Sequence, residues 1–167
     1  MEIKIVRSSR RLRTVSGRLV KDTLLINAPL VLSKEKLDKI IFEFQQKFER
    51  KIIKDNLDKS DDLFVRAARL NEKYFSNKLK IRSIQYVTGQ NSRFGCCNYH
   101  TADIRISHKV GLMPEWVRDY VVLHEMAHLV EPNHGLAFWE IVNRYKLSER
   151  AKGFLMGSGF NSNDYVE

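Results

Sequence analysis

His124-Glu125-Met126-Ala127-His128, with His134 six residues further on, has the residue types and spacing of a metal site with a base beside it. Residues four apart on an α-helix lie on one face a turn apart, so His124 and His128 can reach a single ion together. Glu125 stands one position round the helix from His124, which suits a carboxylate that works on a metal-activated water rather than on the metal. His134 supplies a third imidazole. A catalytic zinc ion typically takes three protein ligands and leaves its fourth position open. The chemistry expected is hydrolysis of an amide bond, with one Zn2+ per chain held by His124, His128 and His134. Glu125 then takes the proton of the attacking water and returns it to the leaving amine.

A four-residue match of this kind arises by chance in many proteins, so the flanking sequence matters. Pro114 fits a first helical turn, and Trp116, Val117, Tyr120, Val121 and Leu123 continue a helical pattern. Glu131-Pro132 ends it, because the residue before proline is pushed out of the α region. Val117, Val121, His124 and His128 fall on one stripe facing the core. Two buried imidazoles need partners, and a metal is one.

The interval from His128 to His134 is that of the metzincins, but these place glycine where this chain has Glu131, so the turn must be built differently. A site completed by a carboxylate would draw on Glu131, Glu140 or Glu149, none of which has a motif around it. Cys96, Cys97 and His100 could begin a second metal site, but lack a fourth ligand. Two free, buried thiols are the simpler reading. His108 reads as a surface residue at a strand end.

The elements that must position these groups are legible in outline. Residues 1 to 28 read as a β-meander, with a turn at Lys21-Asp22 and an end at Pro29. Arg7, Arg10, Arg11, Arg13 and Arg18 fall within it. They read as a solvated strand face that blunts an exposed edge, or else as a patch for phosphates. Ser33 caps a helix to about Lys51, with Leu37, Ile40, Ile41, Phe44 and Phe48 inward. A polar break at Lys54 to Lys59 precedes a second helix capped by Ser60, with Leu63, Phe64, Ala67, Leu70 and Tyr74 buried. Strands are expected at Ile81 to Thr88, at Arg93 to Asn98 (short, or bulged around Gly95) and at Ala102 to Ser107. The free edge of Ile104 to Ser107 could take an extended peptide across the metal. Phe138, Ile141, Val142 and Tyr145, with Trp139 adjacent, mark a last helix that anchors the His134 turn.

At 167 residues the chain suits a single domain. Its parts would be a basic meander over 1–32, two scaffold helices over 33–76, a catalytic core over 81–151 and a flexible tail over 157–167. No apolar run approaches a membrane span, and the start lacks an apolar signal region, so the expectation is a cytoplasmic protein without membrane association. Adjacent cysteines suit a reducing compartment. Lysine and arginine number 29 against 20 aspartate and glutamate, a net charge of +9. That excess leaves room for a second reading, a binding module on nucleic acid with a structural zinc. Glu125 separates the two, since a structural site has no use for a base.

The chain also resembles a known family. Arg93-Phe94-Gly95-Cys96-Cys97, Ile104-Arg105-Ile106-Ser107, Pro114, Asp119 through Leu129, Asn133-His134 and Phe138-Trp139 are similar to the YgjP-like metallopeptidases, relatives of the SprT-like and Spartan-type zinc proteases. Val6-Arg7-Ser8 and Ala28-Pro29 extend the likeness. The family usually has Trp at 94 and Ser at 96, so Phe94 and Cys96 depart from it. The resemblance implies a zincin-like α+β fold with a mixed or antiparallel sheet, one catalytic zinc, and a peptide or protein substrate.

Overall fold

The computed structural model describes residues 2–90 and 92–158. The chain folds as two compact units, Met1–Ile52 and Ile53–Glu167. No helix among the described residues is long and apolar enough to cross a membrane. The end of the expected tail, from residue 159, lies outside the described residues.

In the first unit the most apolar strand takes the centre. Strands β1 (Glu2–Ser8), β2 (Ser16–Val20) and β3 (Thr23–Pro29) form a sheet of order β1-β3-β2. β2 and β3 make the expected antiparallel hairpin, turning where Lys21 adopts a φ of 55°. β1, however, runs parallel to β3, from Glu2 beside Thr23 to Ser8 beside Pro29, so the sheet is not a meander. The physical reason lies in β3. Leu24, Ile26 and Ala28 are buried, and such a strand belongs between two others, while the charged β1 and the Arg18-bearing β2 make tolerable edges. Helix α1 (Lys34–Ser60) follows, and Leu37, Ile41, Phe44 and Phe48 pack with the buried face of β3.

α1 does not stop near Lys51, and the polar stretch from Lys54 to Lys59 is helical. It contains neither Gly nor Pro, a Lys54–Asp58 ion pair supports it at i, i+4 spacing, and Leu57 is buried. The next helix, α2 (Leu63–Phe75), is capped by Asp62 rather than Ser60, through bonds to the amides of Phe64 (2.9 Å) and Val65 (3.2 Å). Leu63, Ala67 and Leu70 are buried as expected, but Phe64 is 56% exposed, because it lies a hundred degrees or so round the helix from Leu63.

The second unit is built round a buried helix. Strands β4 (Ser83–Val87), β5 (Gly95–Asn98) and β6 (Asp103–Ser107) form a mixed sheet of order β4-β6-β5, with β4 parallel and β5 antiparallel to β6. β6 is therefore central. Ile104 to Ser107 has no free edge, and a peptide cannot add to it. Fully buried Ile104 and Ile106 explain its place. After β6 the chain turns into a single helical turn, α3 (His108–Gly111), with no exposed strand end. His108 is accordingly buried, 3% exposed, with Nδ1 3.3 Å from the Val87 carbonyl oxygen, and is no surface residue. Helix α4 (Glu115–Ala127) is buried at every residue from Asp119 onward. Helices α5 (Leu136–Val142) and α6 (Ser148–Gly157) complete the core with Phe138, Val142, Ala151 and Leu155.

A charged network fixes the outer side of α4. Arg66 of α2 binds Asp119 of α4 and, at 2.7 Å, Asp61. Arg69 adds two 2.8 Å bonds to Asp119, Arg118 pairs with Asp61 at 2.9 Å, and Tyr86 of β4 donates its hydroxyl to Asp61. Burial by itself would raise the Asp61 pKa. The Tyr86 hydrogen bond and the Arg66 and Arg118 charges outweigh it and hold the carboxyl below its ordinary value. A depressed carboxylate pKa contributes stability that is present above the unfolded value and lost as pH falls through the folded one. Asp119→Ala should cost about 2 kcal/mol in urea unfolding at neutral pH, since it removes a charged hydrogen-bond partner from buried Arg66 and leaves Asp61 to hold it. The native chain should lose stability on acidification below the ordinary aspartate range. A loss in the variant under about 0.5 kcal/mol would remove the network's role.

Candidate metal centre

The last turn of α4 delivers His124 and Glu125 into the interior, 1% and 2% exposed. His128 sits at the helix end with αR backbone angles, φ −63° and ψ −17°, so it keeps its helical offset from His124. The chain then turns tightly. The amides of Val130 and Glu131 both bond to the Ala127 carbonyl at 2.9 Å, and Pro132 prevents the helix from continuing. His134 follows at the surface, and Gly135 opens α5.

This path brings the three imidazoles together. One nitrogen from each of His124, His128 and His134 lies within 4.8 Å of the others. His124 Nε2 and His134 Nε2 are 3.1 Å apart. Two nitrogens on one tetrahedral zinc ion would be about 3.3 Å apart, so the donor set fits such an ion. The Nδ1 of His128 is 3.3 Å from the Glu131 carbonyl oxygen, which can only accept. In the tautomer that donates to this oxygen from Nδ1, Nε2 keeps its lone pair for a metal. Burial, then the neighbouring His128 and His134 and the Lys152 charge, hold His124 well below the ordinary imidazole pKa. It is neutral, as a ligand must be.

Glu131 meets the site through its backbone, while Glu140 and Glu149 are exposed, and none of the three belongs to the cluster. Nor do Cys96, Cys97 and His100 form a second metal group among the described residues. Both thiols are free and half-buried. Burial and then Glu125 push the Cys97 thiol up to about 12 and raise Cys96 too, so both stay protonated. The ring of His100 lies 4.1 Å from that of Tyr99.

Phe138 is the floor of the cluster, its ring 4.8 Å from His124 and 4.6 Å from both His128 and His134. Trp139 stacks on His134 at 5.7 Å and 26°. Opposite lies β5, and the space between is a cleft of about 250 Å³. Arg93, Gly95, Cys96, Cys97, Tyr99 and Pro132 line it with the three histidines and Glu125.

Gly95 is the functional position that sequence reasoning left unexplained. It pairs in regular register with Ile106, without a bulge. A Cβ there would lie 2.6 Å from Glu125 Oε1 and 2.8 Å from its Cγ and Cδ. The glycine is needed for close approach. Its signal in the sequence was a glycine inside a short strand pattern.

Against this geometry, the YgjP-like metallopeptidase domain model matches residues 9–146, most of the chain. The chain is a YgjP-like metallopeptidase. It is a hydrolase that acts on peptide or protein, and the family requires a metal site. No curated protein sequence matches it. Among solved structures it is similar to the metallopeptidase zymogen of Methanocaldococcus jannaschii jannalysin, with 17% identity, 59% of this chain and 97% of that chain covered and a TM-score of 0.49. It is also similar to the metallopeptidase zymogen of Pyrococcus abyssi abylysin, with 16% identity, 59% and 95% covered and a TM-score of 0.47.

In this YgjP-like chain Gly95→Ala should displace a side chain rather than the backbone, because the clash falls on the Glu125 carboxylate. Peptidase activity should fall at least about tenfold, while metal content and thermal stability stay near native. Full activity in the alanine variant would show that Glu125 does not need that space.

Proposed function

We propose that this metallopeptidase is zinc-dependent, that His124, His128 and His134 hold the ion, and that Glu125 is the general base. The observation that carries the reading is the convergence of three imidazole nitrogens within 4.8 Å in a cleft that Glu125 also lines. A set of three imidazoles suits zinc, and among the described residues no carboxylate or thiolate joins it to favour a harder or softer ion. Zinc bound there supplies a Lewis acid for the scissile carbonyl and lowers the pKa of water toward about 7.

The chain's own residues do the rest. A Glu125 oxygen takes a proton from the attacking water and hands it to the departing amine. Gly95 leaves the carboxylate room to reach the cleft. His128 is oriented by the Glu131 carbonyl. β5, one of the two edge strands of its sheet, borders the cleft through Gly95, Cys96 and Cys97. Its outward backbone groups can pair with an extended peptide and lay it across the imidazoles.

Glu125→Gln separates binding from chemistry. The variant should keep about one zinc per chain while cleavage of a quenched-fluorescent peptide mixture falls at least about a hundredfold. Near-native turnover with the metal in place would rule out the carboxylate as base.

A further inference from the structure

We propose that Lys152 and Trp139 are positioning residues for the metal centre, the lysine ammonium holding the indole and the indole holding His134. The inference rests on the three-histidine zinc reading and extends it to the residues behind the third ligand.

His134 is the ligand with the weakest intrinsic support. His124 is enclosed in α4 and His128 closes that helix, but His134 is exposed and lies in the turn before α5. α5 has only seven residues, and its N-cap, Gly135, offers no side-chain bond. A helix so short takes its orientation from packing. The packing it uses is Phe138 and Trp139, whose rings meet edge to face at 5.2 Å and 87°. The near-parallel stack of Trp139 on His134 then fixes the plane of the imidazole.

Lys152 of α6 secures that arrangement at two points of α5. Its Nζ lies 4.6 Å from the centre of the Trp139 ring, a cation–π distance. The same atom is 3.3 Å from Oδ1 of Asn143, the residue that ends α5, and 2.9 Å from Glu149 Oε1. The side chain is only 7% exposed. Lysine is rarely buried so deeply without a specific role, and an apolar residue would fill the space at lower desolvation cost. What an apolar residue could not do is bind the face of Trp139 and the end of α5 together.

The test is metal affinity of the full chain, with Co2+ as a spectroscopic probe and Zn2+ by chelator competition. The native chain should bind both and give the intense visible bands of four-coordinate Co2+. Lys152→Met should weaken binding about tenfold and alter those bands, as loss of outer-sphere support does elsewhere. Lys152→Arg, which restores a cation over the ring, should recover affinity to within about threefold. A purely structural lysine would lower the melting temperature of the metal-free protein and leave affinity and spectrum native. That result, or tighter binding by the methionine variant, overturns the proposal. If Lys152→Met does not fold, Trp139→Phe carries the same test, with weaker binding expected and unchanged binding fatal. Failure of the native chain to bind either ion would instead overturn the zinc reading itself.

Discussion

The structure depends on a helix with almost no solvent face that carries an imidazole and a carboxylate at its buried end. From Asp119 to Ala127 every residue of α4 is out of water, His124 and Glu125 included. Polar groups so placed are tolerated only where something satisfies them, and the surrounding elements can be understood as the means of doing so. The turn after Ala127 returns His134 to the imidazoles, and the aromatic floor of α5 fixes the rings. β5 comes close enough to Glu125 that only a glycine fits between them.

The same constraint accounts for the charged network on the far side of the helix. A helix whose last turn must be accurate to fractions of an ångström needs its own axis fixed. Apolar packing around Val117, Val121 and Met126 does not by itself determine rotation or register. The fork of Arg66 on Asp119 and Asp61, with Arg69, Arg118 and Tyr86, does so at the opposite face, because guanidinium–carboxylate pairs are directional. The family match covers residues 9–146, which takes in α2, the network and the site together.

Much of the site was legible because it is local. Four-residue spacing places His124 and His128 on one face whatever the rest of the fold, and Pro132 marks where the helix must end. The hairpin of β2 and β3 was legible for the same reason. What stayed hidden depends on partners distant in sequence. Nothing local reports that β1 runs parallel to β3, that β6 is a central strand, or that the chain folds His108 inward after it. Gly95 could be seen as a glycine in a strand, but its neighbour Glu125 is thirty residues away. Lys152 gave no local signal, since its partners Trp139 and Asn143 belong to another helix. α1 ran past its expected end because Leu57 finds a core to enter, which propensity alone cannot foretell.

The central claim is that three histidines, the third arriving from the turn before α5, hold one catalytic zinc. The most direct measurement is zinc stoichiometry of the purified chain beside that of His134→Ala, by elemental analysis after equilibration with excess zinc and removal of the unbound ion. About one zinc per native chain, sharply reduced in the variant, is the predicted result. Equal zinc in the two proteins would contradict the three-histidine centre and require another third ligand.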